Sequence, residues 1–235
     1  MKIKGSVALV TGANRGLGAA FARGLLASGA AKVYAGARDP NTVSVPGVVP
    51  VQLDVTRAEQ VATLARELTD VTLLVNNAGI SEKGPVLEPN AIESLQRQFD
   101  TNTIGPLRLV QAFATVLATN GGGAVINVLS VLSWVTLPGR SGAYSASKAA
   151  GWALSNALRQ ELKAQHTQLL SLHAGFIDTD MTRNVPGPKS SPEEIVRQTL
   201  TALEAGESEV LADAVTRDAH RGLTAEWPVY LGTRA

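Results

Sequence analysis

Tyr144 and Lys148 stand four residues apart in Tyr144-Ser-Ala-Ser-Lys148. On a helix that spacing sets both side chains on one face, with Cβ atoms roughly 5–6 Å apart, so an ammonium lies beside a phenol. A free phenol titrates at about pH 10, too high to exchange protons readily at neutral pH. A neighbouring cation favours the phenolate and pulls that value down. A proton donor and acceptor tuned toward neutrality is what reduction of a carbonyl, or oxidation of an alcohol, requires. Both residues are common on helix surfaces, so the pair takes its meaning from the motifs upstream.

The first of these is Thr11-Gly-Ala-Asn-Arg-Gly-Leu-Gly18. It follows the apolar run Val7-Ala-Leu-Val10 and opens a helical pattern carried by Leu17, Phe21 and Leu25. Strand, glycine turn and helix together are the setting of a dinucleotide site. The glycines allow a tight turn and close backbone approach, and the helix N-terminus offers unpaired N–H groups to a pyrophosphate. The spacing of Gly12, Gly16 and Gly18 is G-x-x-x-G-x-G rather than G-x-G-x-x-G. A second motif, Asn76-Asn-Ala-Gly79, directly follows the apolar run Val71-Thr-Leu-Leu-Val75. By itself it is also a normal strand-end turn.

Taken together, these motifs resemble the short-chain dehydrogenase/reductase family in its compact single-domain form. The resemblance rests on T-G-x-x-x-G-x-G at 11–18, Asp54 in Leu-Asp-Val, N-N-A-G at 76–79, Asn102, Ser130 and Y-x-x-x-K at 144–148. They occur in the family's order and at nearly its spacing, over about residues 5–183. The resemblance implies an NADP-preferring enzyme of the carbonyl reductase or alcohol dehydrogenase kind.

Composition narrows the field from another side. A chain of 235 residues, 45% of them hydrophobic, can bury one sizeable core and reads as a single domain over 1–235. A net charge of +1 and the lack of a basic run argue against nucleic acid as a partner. Without cysteine, disulfides, cysteine zinc sites and thiol catalysis are excluded. His166, His173 and His220 are scattered without ligand spacing, so no metal site is expected, and His173 reads as a packed strand-end residue. The first strand begins within a few residues of Met1, leaving no room for a signal peptide, and no apolar run approaches the roughly 20 residues of a membrane helix. A soluble cytoplasmic enzyme is the expectation.

Apolar runs alternate with helical patterns, the signature of a Rossmann-like α/β fold with a doubly wound parallel sheet and helices on both faces. Strands are expected near 7–11, 32–36, 48–53, 71–75, 123–129, 168–174 and 209–212. Helices are expected near 15–28, 57–68, 100–119, 144–165 and 192–205. The link from Ala37 to Gly47 contains Pro40 and Pro46, so its helix should shrink to a turn. A substrate lid and C-terminal segment occupy about 176–235.

In a dinucleotide fold, an acid about 20 positions past the glycines binds the ribose 2′-hydroxyl of NAD. Here the second strand ends Tyr34-Ala-Gly-Ala-Arg38, with Ala37 where the resemblance would put that acid. Arg15 sits inside the glycine turn, at a helix N-terminus whose dipole disfavours a cation by roughly 0.3–1 kcal/mol. Both arginines would meet the 2′-phosphate of NADP(H), unless they are solvated surface charges and Asp39 serves as a displaced acid. The resemblance also assigns Gly12, Asn14, Gly16, Leu17, Gly18, Val55, Asn76, Ala78, Gly79, Gly175, Ile177 and Thr179 to the cofactor. Asp54 would accept from the adenine amino group, or else cap the following helix.

For the chemistry, the resemblance implies that Tyr144 protonates the carbonyl oxygen as hydride arrives from the nicotinamide. Lys148 would lower the phenol's pKa and hold the ribose, Ser130 would hydrogen-bond the carbonyl oxygen, and Asn102 would position a water behind Lys148. Ser130 lies one residue farther from Tyr144 than is usual in the family, and Ala174-Gly175 replaces its Pro-Gly. Leu132, Trp134, Leu137, Phe176, Met181 and Val185 are expected to line a pocket for a small apolar ketone, aldehyde or alcohol. Alternatives are a ketoacyl-thioester reductase or a catalytically idle NADP-binding regulator, although such regulators lose Tyr or Lys. The small, apolar faces of 100–119 and 144–165 imply a homodimer, with a homotetramer as the larger alternative. A role for the segment Trp227-Pro-Val-Tyr230 is not readable from the sequence.

Overall fold

Strand periodicity dictates the core. In the computed structural model, which describes residues 1–232, alternate residues of the central strands point to opposite sides. Ala8, Val10, Val75, Ile126 and Leu172 pack against Phe21 and Leu25 on one side and Ile195 and Leu203 beside them. Leu9, Leu74, Val125 and Leu169 face Val61, Leu109, Phe113 and Leu117 on the other. A sheet buried on both faces needs the near-continuous apolar strands found here.

The strands are β1 (Val7–Thr11), β2 (Lys32–Ala37), β3 (Val49–Gln52), β4 (Leu73–Asn76), β5 (Gly123–Val128), β6 (Thr167–His173) and β7 (Glu209–Leu211). They form one parallel sheet in the order β3-β2-β1-β4-β5-β6-β7. The direction of winding reverses between β1 and β4, and ligands of such sheets bind at the carboxyl ends of the strands beside that switch. The glycine turn follows β1 and Asn76 ends β4, so both motifs arrive there.

The helices are α1 (Gly16–Ala27), α2 (Ala58–Glu67), α3 (Ala91–Phe99), α4 (Gly105–Thr119), α5 (Gly142–Leu162), α6 (Pro192–Ala205) and α7 (Ala214–Gly222). Two of them correct the sequence reading. The helix expected over 100–119 is the second part of a longer rod: α3 leads through a π turn, Asp100–Ile104, into α4. Ile92, Leu95 and Phe99 give α3 a helical apolar spacing, yet only Gln98 of it is buried, so this face covers no core. The short charged α7 also escaped notice, although Asp213 caps it by accepting from Thr216 N at 2.8 Å. Between β2 and β3 the expected shrinkage is met by a single 3₁₀ turn, Pro40–Thr42. Of the expected C-terminal segment, positions 233–235 lie outside the described residues.

Candidate active site

Thr11, the last residue of β1, ties the glycine turn to the end of β4. Its hydroxyl accepts from Asn77 N at 3.0 Å and Ala78 N at 2.9 Å. The Asn77 side chain returns a bond to Thr11 O at 2.8 Å. Gly12 and Gly16 have φ of +63° and +55°, a region that side chains disfavour. A Cβ on Gly18 would stand 2.2 Å from Gly12 O, so α1 could not start so close to the turn with any other residue. Among the described residues α1 has no side-chain cap and no acid in its first turn, which leaves its N-terminal N–H groups open to an anion. Asn14 and the buried Leu17 complete this cradle. Asn77, which the sequence reading left without a role, is the brace that holds it.

Arg15 and Arg38 are both exposed at this end of the site. Arg15 Nη1 lies 3.4 Å from Asp180 Oδ2, and Asp180 also pairs with Arg183. Asp39 Oδ1 accepts from Asn41 N at 3.0 Å and caps the 3₁₀ turn. Burial pushes the Asp54 carboxyl up, but the Thr56 hydroxyl and N–H, with Arg38 and Arg57 nearby, bring it net below its ordinary range. Asp54 Oδ1 receives both Thr56 bonds, at 2.7 and 3.0 Å. Its local turn role therefore engages one oxygen. The buried Val55 packs against Gly105, where a Cβ would stand 2.8 Å from Val55 Cγ2.

The π turn sets Asn102 inward at 2% exposure. Its amide is pinned from both ends: Oδ1 accepts from Ile80 N at 2.9 Å, while Nδ2 donates to Ile80 O at 2.9 Å and Ser147 Oγ at 3.0 Å. A Cβ on Gly79 would lie 3.2 Å from Asn102 Oδ1 and 3.8 Å from Lys148 Nζ, so this glycine lets both approach the end of β4. Ser130 leaves β5 in an extended conformation, and its hydroxyl accepts from Leu132 N at 3.1 Å. Lys148 is buried, donates to Val128 O at 2.8 Å, and places Nζ 5.7 Å from the centre of the Tyr144 ring.

Electrostatics here run against the simple reading of the pair. Burial pushes the Tyr144 phenol up to about 12, with its Ser130 contact opposing. Burial also brings the Lys148 ammonium down to about 8. Desolvation outweighs the attraction that the sequence spacing suggested.

Behind Lys148 lies a small cavity of about 10 Å³ lined by Asn76, Asn102, Asn127 and Gly151 among others. That is close to the room one water requires. Asn76 Oδ1, itself buried, has no hydrogen-bond partner among the described residues, and its Nδ2 donates to Asn127 Oδ1 at 2.8 Å. Asn127 is a second residue the sequence reading did not assign.

On the far side, Gly175 N donates to Asp213 Oδ2 at 2.6 Å, joining the loop after β6 to the start of α7. Ile177 O accepts from the Thr182 hydroxyl, and Thr179 Cγ2 approaches the glycine turn, 3.3 Å from a Cβ position on Gly16. Leu137, Phe176 and Met181 are 37, 38 and 49% exposed, and Leu132 and Val185 are half-buried. Trp134, expected among them, is instead buried: it stacks on His173 with centroids 4.1 Å apart and meets Trp152 edge-on at 6.0 Å. The bulk of an indole and its neighbours on β6 and α5 explain the difference.

Comparison with known proteins agrees with this arrangement. The short chain dehydrogenase family model matches residues 6–189. A short-chain dehydrogenase from Burkholderia cenocepacia, solved in complex with NADP, is 45% identical, with a TM-score of 0.91 over 96% of this chain and 95% of that one. A 3-oxoacyl-acyl-carrier-protein reductase of Synechocystis is 32% identical over 192 residues, 76% of this chain and 77% of the relative. An uncharacterized oxidoreductase of Methylorubrum extorquens is 34% identical over 194 residues, 77% of each. With its glycine turn, sheet order and Asn–Ser–Tyr–Lys set in place, the chain belongs to the short-chain dehydrogenase/reductase family of oxidoreductases.

Proposed function

We propose that this protein is an NADP(H)-dependent reductase of small apolar ketones or aldehydes, working in reverse on the corresponding alcohols. The observation that carries the reading is the half-buried Tyr144 with the buried Ser130 and Lys148 beside a glycine cradle with no room for a Cβ at Gly18. The cradle fits a dinucleotide pyrophosphate, and Arg38 with Arg15 supplies cations for a 2′-phosphate. Asp54 keeps one carboxylate oxygen for the adenine, while Asn76, Ala78, Gly79, Gly175, Ile177 and Thr179 flank the nicotinamide end. When bound, the cofactor supplies the hydride.

The chain's own residues handle the proton. With its proton held until about pH 12, the Tyr144 phenol is an acid at neutral pH and donates to the carbonyl oxygen. Ser130 Oγ accepts from Leu132 N, and its own O–H, which contacts Tyr144, turns to hydrogen-bond the same oxygen and offset the charge developing there. Lys148, ionising near 8, accepts and returns protons at ordinary pH, and the cavity behind it has the size for a water that Asn102 positions. Leu132, Leu137, Phe176, Met181 and Val185 give the substrate side its apolar character, with residues 176–232 covering it.

Two further readings belong here. Ala153 and Ala157 of α5 and Ile104 beside α4 remain exposed, which favours a homodimer through these helices. No helix among the described residues is long and apolar enough to cross a membrane, and a cytoplasmic location is proposed. The test of function is NADPH oxidation against a panel of ketones, aldehydes, diketones and a ketoacyl thioester. Turnover confined to the thioester would replace the small-carbonyl reading, and turnover of none would remove it.

A further inference from the structure

His173 is wholly buried at the end of β6, and the chemistry described so far does not use it. A buried imidazole brings two polar nitrogens out of water, and each unpaired one costs on the order of 1–3 kcal/mol. Its place therefore needs a reason. Nδ1 lies 3.2 Å from Ser130 O. A carbonyl oxygen only accepts, so this contact is a hydrogen bond with the proton on Nδ1. Ser130 O also accepts from Ser133 N at 3.0 Å, which completes its two acceptor directions.

The ring is also held on one face. Trp134 stacks on it at 4.1 Å with planes 20° apart. Nε2 lies 3.7 Å from Glu209 Oε1, beyond hydrogen-bond length, and has no hydrogen-bond partner among the described residues, so the ring is held through Nδ1 and its stacked face. The same Glu209 oxygen accepts from Trp152 Nε1 at 3.0 Å. Trp152 lies on α5, two helical turns beyond Tyr144, and positions 144, 148 and 152 share one face. A continuous chain of contacts thus runs from Trp152 of α5 through the Trp134 ring and His173 of β6 to Ser130 just beyond β5.

We propose that His173, held by the Trp134 ring that also meets Trp152 of α5, is a positioning residue that helps to fix the Ser130 peptide relative to the helix carrying Tyr144. Ser130 lies beyond the last residue of β5, Val128, so the β5 ladder alone does not orient it. Backbone bonds from Leu129 N to Leu172 O at 2.8 Å and from Val131 N to Ala174 O at 2.9 Å locate the peptides on either side. The Ser130 carbonyl shares its planar peptide with Val131 N, so its orientation is set jointly by Ala174 O, Ser133 N and His173 Nδ1, and only the last of these is a side chain. Two groups that must meet one substrate oxygen gain from such a brace, because a misplacement of about 1 Å can cost on the order of 10²-fold in rate. The kinetic part of this inference rests on the reductase reading; the hydrogen bond itself can be observed without turnover.

Three substitutions separate a positioning role from packing alone. In His173→Asn the amide nitrogen takes the place of Nδ1, in His173→Gln it reaches the place of Nε2, and His173→Leu has neither. The expected result is a kcat about tenfold or more lower for Leu and Gln, recovery to within about threefold for Asn, and an NADPH Kd within about twofold throughout. Equal kcat in all three, or losses that follow melting temperature rather than side-chain type, would overturn the proposal. If the leucine variant does not fold, the Asn–Gln comparison still decides. Independently, ¹⁵N-histidine NMR of the wild-type protein should show a slowly exchanging proton on His173 Nδ1. A ring protonated only on Nε2 overturns the hydrogen bond whatever the kinetics. If the wild-type protein reduces no carbonyl while the Nδ1 proton is present, the reductase reading fails and the brace stands.

Discussion

The two ends of the site are built to different standards. At the carbonyl end, Asn102, Ser130 and Lys148 are buried and each already holds a defined hydrogen bond. At the phosphate end, Arg38 is exposed and Arg15, 71% exposed, reaches only Asp180 at 3.4 Å. The difference follows from what each end must do. Charge that develops during a reaction is stabilised best by dipoles and protons fixed beforehand in a dry pocket. A phosphate is already charged when it arrives, and long guanidinium arms can close around it from solvent. The comparison holds only if substitutions at the first end alter turnover and those at the second alter binding.

The largest expected effect is that of Tyr144→Phe. It removes the proton donor and keeps the ring, so turnover should fall by about 10²–10⁴ while NADPH affinity stays the same. Steady-state kinetics with fluorescence titration of NADPH separates the two. A variant that keeps more than half of wild-type activity on every substrate would break the mechanism.

Legibility in the sequence divided along the same line. The glycine turn, Asn76–Gly79 and Tyr144–Lys148 could be read because each is a short local pattern attached to a strand or helix. The braces behind them could not. Asn77 acts on Thr11, 66 positions away, and Glu209 acts on residues of α5 and β6 that only the sheet order brings near. The phenol's direction of shift was also misjudged, because spacing along a helix says which charge is near and says nothing about how much water is lost. The helix α3 was legible and is absent from the sequence reading: Ile92, Leu95 and Phe99 recur at helical spacing, although only Gln98 is buried. The strand positions and the missing helix between β2 and β3 were both recoverable, as apolar runs and prolines carry that information directly.

Fixing polar groups in a dry pocket should also leave a mark on stability, and Lys148 is the place to look. Its folded pKa of about 8 lies below the ordinary 10.5. Between those values the unfolded chain binds more protons, so stability should rise with pH across that window, and the full cost is present below pH 8. A shift of this size corresponds to about 3 kcal/mol, of which an unpaired Val128 carbonyl would return about 1 kcal/mol in a variant. Lys148→Met should therefore gain about 2 kcal/mol of stability at neutral pH, lose its pH slope, and be inactive. Chemical denaturation at several pH values checks this. A less stable Lys148→Met protein would mean that the ammonium is better solvated than its burial implies.

At the other end the expected effects are smaller and specific to the cofactor. A charge-assisted hydrogen bond contributes about 1.5–3 kcal/mol. Arg38→Ala should lower kcat/KM for NADPH about tenfold or more and leave that for NADH nearly unchanged. An equal fall for both would place Arg38 in the fold, through its field on Asp54, rather than on the 2′-phosphate.

The smallest effect sharpens the contrast most, because it turns on a competitor for Arg15 rather than on a contact with the cofactor. Asp180 holds Arg15 at 3.4 Å and Arg183 as well, and all three side chains are largely exposed. An exposed ion pair is worth only about 0.2–1 kcal/mol, so it cannot hold the guanidinium in place as Asn102 is held. Its carboxylate does repel an incoming phosphate and occupies the arm that would meet it. Asp180→Asn keeps the shape and removes both effects. The NADPH Kd should fall by up to about fivefold at low salt, the equivalent of that ion-pair energy, and the gain should shrink as salt screens the charges. Isothermal titration at two ionic strengths measures it. A weaker Kd would show that Asp180 aims Arg15 at the cofactor, and the phosphate end would then be preorganised too.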